Sequence, residues 1–336
     1  MDREQDELQF LSLFGIYRES YKIVYKWRKI FSQITLTLIL PLSFIFLADM
    51  EVSNILFFRI IHSESALDKT IPDTARYKRI NDVLTKERAT FWLFKAAYFT
   101  SMLIFSLLST SAVVYTIACV YTAREITFRK IMSVVPRVWK RVMITFLCTV
   151  LAFLLYNIVA VVVGIVCLAL LYSNSGDGGL AFFITFIFLL ILYAIGFVYM
   201  TIIWQLASVV SVLEETKGIK AMIKSKKLLR GNMWVASIIF FKIVALAYVI
   251  QFSFQALVVD GWVFGIMGRI GFGVLLLLLL LKLILFLLVI QTVLYFVCKS
   301  YHHENIDKSA LSYHLEVIYL GDYVPLKSKD VQLEQV

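Results

Sequence analysis

Three lysines, Lys95, Lys242 and Lys282, stand inside stretches that are otherwise almost wholly apolar. A lysine in hydrocarbon is costly, so it must pair, reach an interface, or meet an anionic ligand such as a lipid phosphate. Lys95 lies near the outer end of its stretch, within snorkelling reach, whereas Lys242 stands nine residues inside and Lys282 is deeper, after the leucine run 275–281. No acidic residue occurs at the depth of Lys282. Lys242 and Lys282 are therefore the candidate contacts for an anionic lipid or ligand, with snorkelling or burial beside backbone carbonyls as the alternative.

Metal chemistry has a weaker basis. His302, His303, Glu304 and His314 gather after the last apolar stretch. Adjacent helical residues point about 100° apart, which does not match zinc-ligand spacing, and a solvated polar cluster is the ordinary reading. There is no HExxH, phosphate-binding loop, GxSxG or dinucleotide fingerprint. The apolar interiors hold no His, Asp or Glu to act as a base. The expectation is a chain without catalytic residues, cofactor or metal, and not an enzyme.

The elements that position these lysines are six long apolar runs, 31–49, 91–121, 142–172, 180–212, 233–254 and 271–297. With 60% hydrophobic and 17% charged residues, the chain lacks the polar surface a water-soluble domain of 336 residues requires. Runs near 20 residues or longer suit membrane-spanning helices, and their continuity argues against a barrel, whose strands alternate. The fold class is all-α, a polytopic helical bundle of about six spans. Its parts are a cytosolic amphipathic segment at 1–30, a membrane domain at 31–298 and a cytosolic tail at 299–336. Pro41 falls mid-span and is expected to kink the first run.

Charge sets the orientation. Six Lys and Arg precede the first run, six lie in 124–141, six in 217–230 and four in the tail, whereas 173–179 has none. The positive-inside rule then places both termini in the cytosol, in the plasma membrane or the endoplasmic reticulum. The 50–90 segment dissents with seven basic residues, although six acidic ones accompany them. The net charge of +10 lies beside span ends, so it implies anionic lipid on the cytosolic face rather than nucleic acid. Cytosolic protein partners are a further expectation, for which Tyr319, Tyr323, Pro325 and Leu326 in the tail offer a short segment; oligomeric state is not legible. Cys298, beside Lys299, suits palmitoylation, against an ordinary small buried residue, and no structural disulfide is expected. Gly261, Gly265, Gly268, Gly271 and Gly273 suit tight re-entry or close helix contact.

Two segments share a pattern 91 residues apart, EITFRKIMSVVPRVWKRVMITF and TKGIKAMIKSKKLLRGNMWVASIIF. In the first, Phe128, Ile131, Met132, Val135, Val138, Trp139 and Val142 form an apolar stripe opposite Arg129, Lys130, Arg137, Lys140 and Arg141. In the second, Lys220, Lys224 and Lys227 supply the basic face. Both read as amphipathic helices on the membrane surface, giving an internal repeat of span, interfacial helix and span over 91–172 and 180–254. Pro136 interrupts the first helix, and Gly231 with Asn232 ends the second.

The block LASVVSVLEETKGIKAMIKSKKLLRGN resembles that of membrane proteins grouped with the glycerophosphoryl diester phosphodiesterase membrane domain, on Val209, Val210, Leu213, Glu214, Gly218, Ala221, Ser225, Leu228, Leu229 and Gly231. ELQFL, ITLTLILPLSF, FSLLSTSAVV, VCKSYHHENIDKSAL and YVPLKS make the whole chain similar to an uncharacterised plant family of six-span proteins. The resemblance implies a fold and an endomembrane or plasma-membrane setting, without the soluble catalytic barrel. The reading it leaves is a noncatalytic protein of membrane organisation, trafficking or signalling, acting as an adaptor. The alternative is a carrier or channel for a lipid or small anion that uses the intramembrane lysines.

Overall fold

The computed structural model describes residues 12–71, 74–122, 126–174, 179–261 and 265–302. Nine α-helices occur among them: α1 (Leu13–Lys26), α2 (Arg28–Ile34), α3 (Leu40–Asp68), α4 (Ala75–Tyr121), α5 (Phe128–Asn174), α6 (Gly179–Leu213), α7 (Ile219–Leu229), α8 (Met233–Phe254) and α9 (Ile266–Tyr301). No strand occurs among the described residues. The architecture is all-α, and six helical segments are long and apolar enough to cross a membrane, as the six runs imply. This is a multi-pass membrane protein.

The chain divides into two units, one of Met1–Lys26, Thr110–Phe240 and Val289–Val336, the other of Trp27–Ser109 and Phe241–Leu288. In the second unit, Leu47 of α3, Ile250 and Phe254 of α8, and Leu276 and Leu280 of α9 form a buried cluster. Pro41 acts here by a specific device. Proline has no N–H and its ring crowds the preceding turn. The helix widens just before it into a π segment, Thr35–Ile39, where the Leu40 N–H donates to the Thr35 carbonyl five residues back. A second π segment, Gln255–Val259, follows α8, and the Asp260 N–H donates to the Gln255 carbonyl at 2.8 Å.

The 50–90 segment is largely helical. α3 runs on to Asp68, and α4 starts at Ala75 behind Thr74, whose Oγ1 accepts the Tyr77 N–H at 3.2 Å as an N-cap. Ser63 donates to Glu87 at 2.7 Å and Arg88 pairs with Glu64 at 2.8 Å, so the mixed charges of this segment tie α3 to α4. Lys95 does not snorkel. Its Nζ donates to both Asp49 oxygens at 2.7 and 2.9 Å, and it lies over the rings of Phe91 and Tyr98. An ion pair with these side chains only 20% and 15% exposed relieves both buried charges. Asp49→Asn removes the charge and is expected to cost about 2 kcal/mol, the scale of a hydrogen bond to a charged group, read as a lower denaturation midpoint of the purified protein. An unchanged midpoint would show that Lys95 finds an equal partner elsewhere.

The two amphipathic segments fold differently from each other. The first is the opening of α5, which runs unbroken to Asn174 with Pro136 inside it. Pro136 is exposed, and the helix continues past it without the backbone hydrogen bond that its missing N–H would have made. The second is the separate helix α7, closed where Gly231 takes a φ of +103°. The stripe of Ile131, Val135, Val138 and Val142 is buried, as are Ala221, Leu228 and Leu229 of α7. These apolar residues pack within the protein, while Ile219 and Ile223 of α7 stand exposed. Beyond them, α5 and α6 form a hairpin joined by Tyr156 donating to the Tyr193 carbonyl at 2.8 Å and Tyr193 donating to Asn157 at 2.9 Å. Residues such as Leu155, Ile158, Phe188 and Ile191 stand exposed there, as lipid contact requires.

Candidate functional site

α7 is held by contacts that fix which of its sides turns outward. Gly218, with a φ of +61°, precedes it and donates its N–H to Thr145 Oγ1 of α5 at 2.9 Å. Ser225, fully buried, donates to the Ile203 carbonyl of α6 at 2.8 Å. At the far end, His302 Nε2 lies 3.1 Å from the Leu228 carbonyl. Gly218, Ser225 and Leu228 are positions of the LASVVSVLEETKGIKAMIKSKKLLRGN block, and others of that block are packed inside: Val209, Val210 and Ala221 have no exposed surface.

Glu214 is the centre of this arrangement. It follows α6 and accepts Lys224 of α7 at 2.7 Å and the Tyr295 hydroxyl of α9 at 2.7 Å, with Lys299 at 3.5 Å. Its side chain is 13% exposed. Burial by itself would raise its pKa, but the hydrogen bonds from Lys224 and Tyr295 and the charge of Lys299 outweigh it and hold the carboxyl below the usual glutamate range. Three helices thus meet on one carboxylate, which acts as a clasp between two cations and a phenol. Spacing alone did not single out Glu214, because its partners lie 10, 81 and 85 residues away; only its place in the resembling block marked it.

The basic faces then sort themselves. Arg129, Arg137, Lys140, Lys220 and Lys227 are exposed, and Lys130 and Arg141 are half-buried. Lys224, placed with the basic face of α7, pairs with Glu214 at 2.7 Å. The result is a set of exposed cations on α5 and α7, backed by buried apolar residues, with α7 held by the clasp and by the Gly218 N–H on Thr145 of α5.

The remaining candidates fall elsewhere. Lys242 and Lys282 are both exposed on the sides of their helices. Cys298 is fully buried, so an acyl chain on its sulfur would require the helix packing to open. The described cysteines are all free thiols. Gly268, Gly271 and Gly273 lie within α9, which begins at Ile266, and Gly261 and Gly265 precede it. His303, Glu304, His314 and the tail from Tyr319 to Leu326 lie outside the described residues; no metal-holding group of His, Cys, Asp and Glu occurs among the described ones.

A family described as Domain of unknown function (DUF8558) matches residues 1–336, the whole chain. No curated protein and no solved structure matches it.

Proposed function

We propose that this chain, which belongs to the DUF8558 family over its entire length, is a noncatalytic protein of membrane organisation, trafficking or signalling that acts as an adaptor. The observation that carries the reading is the set of exposed cations on α5 and α7, backed by buried apolar residues. Such a surface beside span ends attracts anionic lipid at roughly 1 kcal/mol per nearby cation and offers docking to acidic protein partners. On this reading both termini and the basic surface are cytosolic, in the plasma membrane or endoplasmic reticulum. The likeness to plant six-span proteins and to the phosphodiesterase membrane-domain group belongs to the same proposal and rests on the quoted residue blocks.

The carrier alternative draws least from its lysines, since Lys242 and Lys282 are exposed on helix sides. Replacing Arg129, Arg137, Lys140, Lys220 and Lys227 together by Gln is the test. In proteoliposomes of mixed phosphatidylglycerol and phosphatidylcholine, the native chain is expected to enrich the anionic lipid about fivefold, equivalent to about 1 kcal/mol, and the variant to show no preference. Equal enrichment by both would refute a lipid-binding role for this surface, and solute flux above that of empty vesicles would favour the carrier.

A further inference from the structure

We propose that the unit of Trp27–Ser109 and Phe241–Leu288 holds one phospholipid with a primary-amine head group, its ammonium on Glu51 and its phosphate beside Arg269. A cavity of about 410 Å³ lies there, of the size that receives small ligands. Leu47, Phe254 and Leu277 wall it, and the exposed Ile266, Ile270 and Val274 form an apolar rim. This lining suits an acyl chain that enters from surrounding lipid, with the second chain of the lipid remaining outside.

Among the described residues that line the cavity two are charged, and they carry opposite signs. Arg269 donates through Nε to the Val258 carbonyl at 2.6 Å, at the π segment, and through Nη2 to Glu51 Oε1 at 3.3 Å. The other carboxylate oxygen, Glu51 Oε2, is buried and has no hydrogen-bond partner. A buried acceptor left without a donor costs roughly 1–3 kcal/mol, more when charged. An occupant that brings an N–H donor satisfies this acceptor, and a negative group a short distance away adds to the partners that Arg269 already has. Phosphoethanolamine carries both. Phosphocholine has the same charges, but its quaternary ammonium has no N–H to donate, so Glu51 distinguishes the two. Backbone widening at π segments is common at ligand sites, and here it brings the Val258 carbonyl to Arg269.

The test is native mass spectrometry of the full-length protein in micelles containing equal amounts of phosphatidylethanolamine, phosphatidylcholine and phosphatidylglycerol with matched chains. The native protein is expected to retain phosphatidylethanolamine about tenfold over phosphatidylcholine, the effect of one charge-assisted hydrogen bond. Glu51→Gln should abolish that preference while leaving phosphatidylcholine retention unchanged. Gly273→Leu should reduce retention of both. A Cβ at Gly273 meets nothing nearer than the Val258 methyls at 3.9 Å, so the longer side chain fills the cavity without backbone strain. Should that variant fail to fold, Ala48→Leu fills the same space from α3. Equal retention of the two zwitterionic lipids, strongest retention of phosphatidylglycerol, a preference that survives Glu51→Gln, or retention unaffected by the folded cavity-filling variant would each overturn the proposal.

Discussion

Glu214→Gln is expected to lower the stability of the purified protein by about 3 kcal/mol at neutral pH. Removing one member of a buried ion pair leaves its partners charged and uncompensated, at a cost of about 3–5 kcal/mol, and the 32% exposure of Lys224 moderates this toward the lower figure. Glutamine keeps the shape and an acceptor for Tyr295, so the loss isolates the charge. Denaturant titration at fixed detergent composition measures it. Double-mutant cycles with Lys224→Met and Lys299→Met then divide the coupling between the two cations, and the shorter contact, at 2.7 against 3.5 Å, should account for more of it.

The pH dependence follows from the same contacts. Glu214 titrates below an ordinary glutamate because its two cations and Tyr295 favour the charged form over the penalty of burial. The unfolded chain binds this proton more readily than the folded one, so the contribution is complete above the unfolded value near 4.3 and is lost as pH falls through the folded value. The native protein should therefore lose stability below about pH 4 with a component that Glu214→Gln lacks, and the two curves should converge in acid. Parallel curves throughout would mean that the clasp does not contribute to folding.

Gly231→Val comes next, with an expected loss of about 2 kcal/mol. The φ of +103° is one that L side chains rarely adopt, and holding a non-glycine residue there costs about 1–3 kcal/mol. A Cβ would also fall 2.7 Å from Tyr301 Cε1, but that ring is 45% exposed and can swing away. Backbone strain should therefore dominate. Gly231→Ala with Tyr301→Ala should accordingly recover little of the stability lost in Gly231→Ala alone, as judged by thermal unfolding. Full recovery would transfer the effect to the ring.

The six spans, their helical character, the two amphipathic stripes and the stop at Gly231 were all legible from residue order. Each depends on local periodicity or run length, and a hydrocarbon solvent admits few alternatives to long helices. What lies against each face was not legible. Apolar residues that meet lipid and those that meet protein have the same chemistry, so the buried Ile131 and Val138 cannot be told by type from the exposed Leu155 and Ile158. Pro136 lies within a continuous helix, whereas Pro41 brings with it a π segment, a difference that residue type alone does not set. The charged groups depended most on tertiary structure. Lys95 meets Asp49 across 46 residues, Glu214 meets Lys299 across 85 and Glu51 meets Arg269 across 218. A buried charge shows that a partner is required, but only the folded arrangement of helices decides which distant residue comes within hydrogen-bonding distance.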